Sequence, residues 1–224
     1  SSIAFGTPSS LYYSSNLSVT ITGSDIADMI SDRGELGGSN GSDFTINSGA
    51  GNDEVRITSN IGGDVNGVPF INEDTINLGS GDDIVYVGSD YQTDTFDGGT
   101  GSDWFAFNFG GCSTDVTMTI NAHNSSNFEN IAGSRGDDNF TGDANANILL
   151  GGKGNDTLTG GAGIDTFVIR SGDGGDTITD FTDTTDLIGM AGLSYAELSF
   201  EQSGNDTLIK KGTETLSIIQ NIRI

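Results

Sequence analysis

Large apolar residues recur at nine-residue intervals between residues 133 and 168, and nearly all positions between them are polar or glycine. Each apolar residue sits among Thr, Asn or small apolar neighbours, a composition typical of a short strand with one inward side chain. A three-residue strand cannot bury that side chain alone, whereas stacked copies can, as they do in solenoids. The pattern therefore predicts a stack of short strands around a core of Phe140, Leu149, Leu158 and Phe167.

Gly, Asp, Asn and Ser dominate the first six positions of each nine-residue unit, which is the composition of tight turns. The units follow the pattern Gly-Gly-x-Gly-x-Asp-x-U-x, where U is large and apolar, and they begin at Gly133, Gly142, Gly151 and Gly160. The second unit is degenerate and has Asn147 at its sixth position. Two units make one coil of about 18 residues, so turns alternate between two edges. Asp138 should therefore stack on Asp156, and Asn147 on Asp165.

Less regular copies of the same unit occupy residues 19–132. The sixth positions recognisable there are Asp53, Asp74, Asp83, Asp94 and Asp103. Residues 57–68 interrupt the register and contain a Gly-Gly-Asp turn. Counting alternate turns groups Asp53 with Asp74 and Asp94 on one edge, and it leaves the other two aspartates on the opposite edge.

Residues 107–132 lack the motif but carry a different hydrophobic pattern. Apolar and polar residues alternate in it, which predicts a longer strand that includes Val116, Met118 and Ile120. We interpret this stretch as coils of the same solenoid without the aspartate turns. His123 and residues 124–127 are expected to lie in a loop.

After one further turn, which ends at Asp176, the composition departs from the repeat. Three strand-like segments separated by turn residues follow, at 198–200, 207–210 and 215–219. We expect them to form an antiparallel set that covers the open apolar end of the solenoid. Gly204-Asn205-Asp206 resembles part of a repeat, but it has no partner turn one coil away and is interpreted as a hairpin turn.

Stacked turns of this kind bring oxygen atoms together, because each sixth position carries a carboxylate and the glycines leave backbone carbonyl groups free. Oxygen ligands, many of them carbonyls, suit Ca²⁺ rather than Zn²⁺. Each turn would supply half a site and the turn one coil later the other half, which predicts two rows of Ca²⁺ ions. A turn series that binds nothing is the alternative, but it does not require tandem copies in strict register. The predicted metal ligands are Gly49, Gly51, Asp53, Asp74, Gly79, Gly81, Asp83, Asp94, Gly99, Gly101, Asp103, Ser134, Gly136, Asp138, Asn147, Gly152, Gly154, Asp156, Gly161, Gly163, Asp165, Gly172, Gly174 and Asp176.

The negative charge of the chain indicates that a bound cation is needed for folding. Asp and Glu number 32 against 8 Lys and Arg, which gives a formal net charge of −24. Rows of stacked carboxylates repel one another and oppose the compact state. We therefore expect a chain that is largely disordered without Ca²⁺ and folds when it binds the ion. The negative surface argues against a nucleic-acid partner.

Several other kinds of chemistry are excluded or disfavoured by the sequence. Cys112 is the only cysteine, so there is no intrachain disulfide, and His123 is the only histidine, so the chain has no H-E-x-x-H zinc site. No stretch approaches the roughly 18 apolar residues of a membrane span, and no signal peptide is visible at the N-terminus.

The expected organisation is a lead-in linker, an irregular and then a regular part of the solenoid, and a C-terminal cap, at residues 1–18, 19–132, 133–180 and 181–224.

These repeats and the tail after them resemble the RTX, or haemolysin-type calcium-binding, family over residues 20–224. The resemblance implies an all-β fold, a right-handed parallel β-roll with calcium-binding turns on two edges, capped here by antiparallel hairpins. It also implies export by a type I secretion machinery that reads an uncleaved C-terminal signal. In the family, the chain stays unfolded at low cytosolic calcium and folds outside the cell, where an affinity of about 10⁻⁴ to 10⁻³ M is sufficient. We expect a secreted or cell-surface monomer.

Three functions are compatible with the sequence. The first is a non-enzymatic calcium-binding module that folds on extracellular Ca²⁺ and supports secretion of a larger protein. The second is a surface adhesion or assembly module that binds a glycan or a partner chain, suggested by the acidic surface and by Tyr12, Tyr13, Tyr86 and Tyr91. The third is part of an extracellular polysaccharide-modifying enzyme. We favour the first, because the repeat itself accounts for the paired carboxylates and no catalytic residue can be assigned.

Overall fold

A computed structural model of the chain describes residues 2–4, 19–31, 44–57, 73–88, 91–107, 114–122 and 124–224. Short strands dominate this part of the chain, and 3₁₀ turns lie at Tyr91–Thr93 and Tyr195–Glu197. The strands are β1 (Ser2–Ala4), β2 (Val19–Thr22), β3 (Met29–Ser31), β4 (Phe44–Asn47), β5 (Glu54–Ile57), β6 (Thr75–Asn77), β7 (Ile84–Val87), β8 (Thr95–Asp97), β9 (Trp104–Ala106), β10 (Thr117–Thr119), β11 (Ser125–Ser126), β12 (Asn130–Ala132), β13 (Asn139–Thr141), β14 (Ile148–Leu150), β15 (Thr157–Thr159), β16 (Thr166–Ile169), β17 (Asp176–Ile178), β18 (Leu187–Met190), β19 (Leu198–Ser203), β20 (Asp206–Lys211) and β21 (Glu214–Ile219).

The chain divides into two compact units. Unit 1 comprises residues 1–110 and 121–128, and unit 2 comprises residues 111–120 and 129–224. In each unit the chain passes back and forth between two sheets of parallel strands, so that alternate strands belong to the same sheet from β2 to β9 and from β12 to β18. This connectivity is that of a parallel β-solenoid, and it confirms the predicted all-β fold class.

Unit 1 has its core between a sheet of order β1-β2-β4-β6-β8-β11 and a sheet of order β3-β5-β7-β9. Equivalent inward residues align across neighbouring strands, and they are fully or almost fully buried: Ile46, Ile76 and Phe96 in the first sheet, Val55, Val85 and Phe105 in the second. Aromatic rings fill the space between the sheets. The Phe105 ring packs edge-on against the rings of Phe96 and Phe128, with centroids 4.9 and 5.2 Å away.

Unit 2 repeats the arrangement with more regular coils. One of its sheets has the order β12-β14-β16-β18, and the other begins with β10-β13-β15-β17. The four residues predicted to form the core are at most 1% exposed, at Phe140, Leu149, Leu158 and Phe167. Phe140 aligns with Leu158, and Leu149 with Phe167, as the nine-residue repeat requires.

The C-terminal strands end the second of these sheets. Strand β21 pairs in parallel with β17 and antiparallel with β20, which in turn pairs antiparallel with β19. The predicted antiparallel set is therefore confirmed, although each strand extends further than the sequence pattern indicated. Gly204 has a φ of 66°, and residues 204–205 form the turn that joins β19 to β20, while Asp206 begins β20. The predicted hairpin is therefore confirmed, with a turn one residue shorter.

Between the repeat regions, the predicted longer strand is present only as the three residues of β10. Val116, Met118 and Ile120 are all buried, and β10 pairs with β13. The loop predicted for residues 124–127 is wrong in its centre, because Ser125 and Ser126 form β11 and pair with β8. Cys112, His123, Tyr12 and Tyr13 lie outside the described residues. No helix in the described parts of the chain is long and apolar enough to span a membrane.

Candidate metal centre

Four turns stack along one edge of unit 1, between β2 and β3, β4 and β5, β6 and β7, and β8 and β9. Their last residues are Asp28, Asp53, Asp83 and Asp103. The backbone N–H of each aspartate donates to Oδ1 of the aspartate one coil later, at 2.8, 2.7 and 2.8 Å along the row. The last three carboxylates are at most 2% exposed. The turns thus form a continuous row of buried acidic side chains.

The predicted grouping of aspartates in this unit is wrong for one residue. Asp53 lies in the row with Asp83 and Asp103, whereas Asp74 stacks with Asp94 through an N–H to Oδ1 bond of 3.0 Å. The prediction counted a further turn within residues 57–68, whereas β5 and β6 lie in different sheets, so Asp53 and Asp74 end turns on opposite edges. Asp28 was omitted from the predicted ligands, even though Asp28-Met29-Ile30 ends its unit in the expected way.

Unit 2 has a row of aspartates on each edge. On one edge the N–H of Asp138 donates to Asp156 Oδ1 at 2.8 Å, and that of Asp156 donates to Asp176 Oδ1 at 3.2 Å. On the other edge Asn147 donates to Asp165 at 2.9 Å and Asp165 to Asp186 at 3.1 Å. The predicted stacking of Asp138 on Asp156 and of Asn147 on Asp165 is confirmed.

Asp186 extends the second row and was not predicted. It stands before Leu187 and Ile188, so the final part of the repeat pattern was present in the sequence. The glycines that usually precede it are replaced by Phe181, Thr182 and Thr184, which is why the composition indicated a departure from the repeat.

Most of the predicted glycines are needed for close stacking of the turns. Gly81 has a φ of 136° and Gly154 one of 123°, both in the region that favours glycine. A Cβ atom on either would overlap the carbonyl oxygen of the glycine one coil earlier, Gly51 or Gly136. The carbonyl oxygens are therefore held against the turn of the next coil. Positive φ is found at Gly49, Gly51, Gly79, Gly81, Gly99, Gly101, Gly152, Gly154, Gly161, Gly163, Gly172 and Gly174, but not at Ser134 or Gly136.

Several of these carboxylates hold a buried oxygen that has no hydrogen-bond partner. They include the Oδ2 atoms of Asp53, Asp83 and Asp156. Burial raises the pKa of each carboxyl, and for Asp156 it does so to about 8. Burial also raises the pKa of the neighbouring Asp176 to about 6. A buried carboxylate without compensation is costly, so these turns favour either protonation or a cation.

The donor set fits Ca²⁺. No group of three or more His, Cys, Asp or Glu side chains that could hold a metal is found among the described residues. Each turn instead contributes a single carboxylate next to stacked carbonyl groups, so a bound cation would take most of its ligands from the backbone. Ca²⁺ accepts such oxygen-rich, largely neutral ligand sets, and the unpartnered Oδ2 atoms provide the negative charge.

One comparison with known protein families agrees with this chemistry. A family model described as the RTX calcium-binding nonapeptide repeat (four copies) matches residues 73–91 and 130–167. Among solved structures, the chain is similar to the crystal structure of extracellular lipase LipA from Serratia marcescens, with 15% identity and a TM-score of 0.40. The match covers 88% of this chain and 40% of the lipase chain. No curated protein matches the sequence.

Proposed function

We propose that this chain, which carries RTX calcium-binding nonapeptide repeats, folds when its aspartate turns bind Ca²⁺. The observation that carries the proposal is the set of buried, unpartnered carboxylate oxygens at Asp53, Asp83 and Asp156. Each lies in a row of aspartates, where a cation would remove the repulsion between neighbouring carboxylates.

The residues that would hold the ion have distinct roles. Asp53, Asp83 and Asp156 would supply charged oxygen atoms, and the glycines of the same turns would supply carbonyl oxygens. The N–H to Oδ1 bonds between coils orient each carboxylate, so that its second oxygen is left for the ion. Bound Ca²⁺ would contribute the positive charge that the chain lacks at these turns.

This role fits a protein that meets calcium only outside the cell. A chain with a net charge of −24 has little tendency to collapse before it meets cations. We therefore propose a secreted, non-enzymatic module that supports type I secretion of a larger protein, as the resemblance to RTX proteins implies. Turns in which most ligands are carbonyls would give an affinity in the extracellular range, about 10⁻⁴ to 10⁻³ M.

A calcium titration of the whole chain tests the proposal. We expect far-UV circular dichroism in excess chelator to show little β structure, and calcium to produce it cooperatively. Calorimetry should count at least three ions, because unpartnered oxygens occur at three of the turns. Mg²⁺ at the same concentration should not replace Ca²⁺, since it requires strict octahedral geometry and keeps its water ligands. A full β spectrum in chelator that calcium does not change would contradict the proposal.

A further inference from the structure

The aspartate turns differ in where the N–H of their second residue points. In four turns it donates to the side chain of the turn's own last residue, four positions later. The distances are 2.6 Å from Ser24 to Asp28, 2.7 Å from Ser134 to Asp138, 2.8 Å from Asp143 to Asn147 and 2.7 Å from Thr182 to Asp186. We call these closed turns. None of their second residues has a positive φ.

Six other turns have a left-handed glycine at the second position and no bond from it to their own last residue. In three of them, those with Gly49, Gly79 and Gly152 (φ of 108°, 98° and 103°), this N–H donates to no carboxylate of the described residues, whereas that of Gly99 donates to Asp97 Oδ1 at 3.1 Å. The last residues of these three turns, Asp53, Asp83 and Asp156, each carry a buried Oδ2 atom without a hydrogen-bond partner. We call these open turns.

We propose that only the open turns take Ca²⁺, and that the second residue of the repeat decides between the two kinds. The inference rests on the proposed function and assigns its sites. In a closed turn, backbone and side-chain donors already compensate the carboxylate. Asp138 accepts bonds from the N–H of Ser134, the hydroxyl of Ser134 and the N–H of Val116, at 2.7, 3.2 and 2.8 Å. A cation there would have to displace a donor.

Asn147 supports this division independently. It is a neutral residue at the sixth position, and it lies in a closed turn, where its Oδ1 accepts the N–H of Asp143 and its Nδ2 donates to the carbonyl of Glu129 at 3.1 Å. A neutral amide can replace the carboxylate in this turn because the turn holds no cation that would require a negatively charged ligand. The turns ending at Asp138 and Asn147 belong to the same coil, residues 133–150. Both turns of this coil would therefore be stable without calcium.

Two remaining turns of unit 2 are bound by carboxylates from outside the turn. Asp180 accepts the N–H groups of Gly160 and Gly161, each at 2.8 Å. Glu214, on β21, accepts the N–H of Gly172 at 2.6 Å. Calcium would accordingly occupy an interrupted series of turns, centred on Asp53 and Asp83 in unit 1 and on Asp156 in unit 2, rather than two continuous rows.

Asp138 and Asp156 provide a matched test, because they are consecutive in one row and are 2% and 1% exposed. Bound calcium is counted by equilibrium dialysis at saturation in the whole chain, with folding checked by circular dichroism. We expect Asp156→Asn to lose at least one ion and Asp138→Asn to bind as many as the unaltered chain. Asp138→Asn should fold, since Asn147 already occupies a closed turn.

A second variant tests the choice made by the second residue. Gly152→Ser gives the open turn the second residue of the closed turn one coil earlier, Ser134, and we expect it to lose one ion. Because Gly152 has a φ of 103° and an added Cβ would overlap the Ser134 carbonyl oxygen, circular dichroism in saturating calcium must show the β content of the unaltered chain before ions are counted. An unchanged ion count in Gly152→Ser, or equal losses in the two aspartate variants, would overturn the division into two kinds of turn. An unaltered chain that binds no calcium would instead refute the proposed function itself.

Discussion

Gly81 lies where both the backbone conformation and the packing exclude a side chain. Its φ is 136°, and an added Cβ would overlap the carbonyl oxygen of Gly51 one coil earlier. We expect Gly81→Ala to destabilise the calcium-bound protein by at least about 3 kcal/mol, the upper end of the range for strained backbone. For a chain of this length, that lowers Tm by roughly 6 °C or more.

Gly204 is the control for this substitution. Its φ of 66° is also positive, but nothing lies within 4 Å of an added Cβ. Gly204→Ala should destabilise the protein only through the left-handed backbone conformation, by about 1–2 kcal/mol. Thermal unfolding in saturating calcium compares the two variants, and equal losses of Tm would contradict the role assigned to coil stacking.

At the residue scale, the sequence was sufficient to predict the stacking partners of residues that follow the motif. The repeat predicted that Asp138 and Asp156 stack, because a sixth position recurs after a fixed number of residues. The repeat could not show that Ser134 makes a closed turn. That outcome depends on the φ of Ser134 and on whether its N–H points at the Asp138 carboxylate. The copy that ends in Asp28-Met29-Ile30 was recognisable as a weaker repeat, although Asp28 was not counted among the ligands. Asp186 was missed because an aspartate before an apolar residue is too common a pattern without the glycines.

A strand of three residues has a single inward side chain, so that side chain supplies most of the apolar burial of the strand. Phe140 is fully buried and is the single core residue of β13. Phe140→Ala should cost about 3–5 kcal/mol, which at 2–4 °C per kcal/mol lowers Tm by roughly 6–20 °C. Ile164, 56% exposed in a turn, is the control, and its replacement by Ala should change stability by no more than about 0.5 kcal/mol. A comparable loss in both variants would show that the inward positions do not carry the stability.

The elements were predictable where the spacing of the repeat is constant. Residues 133–168 gave the correct strands and edges because every connection there has the same length. Between β5 and β6 the connection is longer, and the number of half-coils in it could not be read from composition. Strand β11 was missed for a related reason, since its two serines carry no apolar residue that would mark a strand.

For the molecule as a whole, the buried carboxyls make stability depend on pH in opposite ways with and without calcium. A carboxyl whose pKa is raised in the folded state stabilises the fold below its ordinary value of 3.8, and that contribution is lost as pH rises through the folded value. The window here extends from 3.8 to about 6 for Asp176 and about 8 for Asp156.

We therefore expect the calcium-free protein to lose stability between pH 5 and pH 8. In saturating calcium the trend should reverse, because protons compete with the ion for the same oxygen atoms. Circular dichroism in chelator and thermal unfolding in saturating calcium, each at both pH values, measure the two trends. A β signal in chelator that rises from pH 5 to pH 8 would contradict the assignment of raised pKa values to these turns.

The hydrogen bonds from the sixth residue of one turn to the sixth residue of the next all run in one direction. In each such row within the described residues, the N–H donates to a carboxylate of the coil that follows in sequence. N–H groups at the fifth position run the other way, as from Asp137 to Asp115 Oδ1. Each coil therefore offers different donors to its two neighbours, and the stack has a head and a tail. Length can consequently change by whole coils without altering any junction, whereas half a coil would bring each donor to the wrong edge. A protein built in this way can vary its reach in evolution by duplicating or losing a single genetic segment.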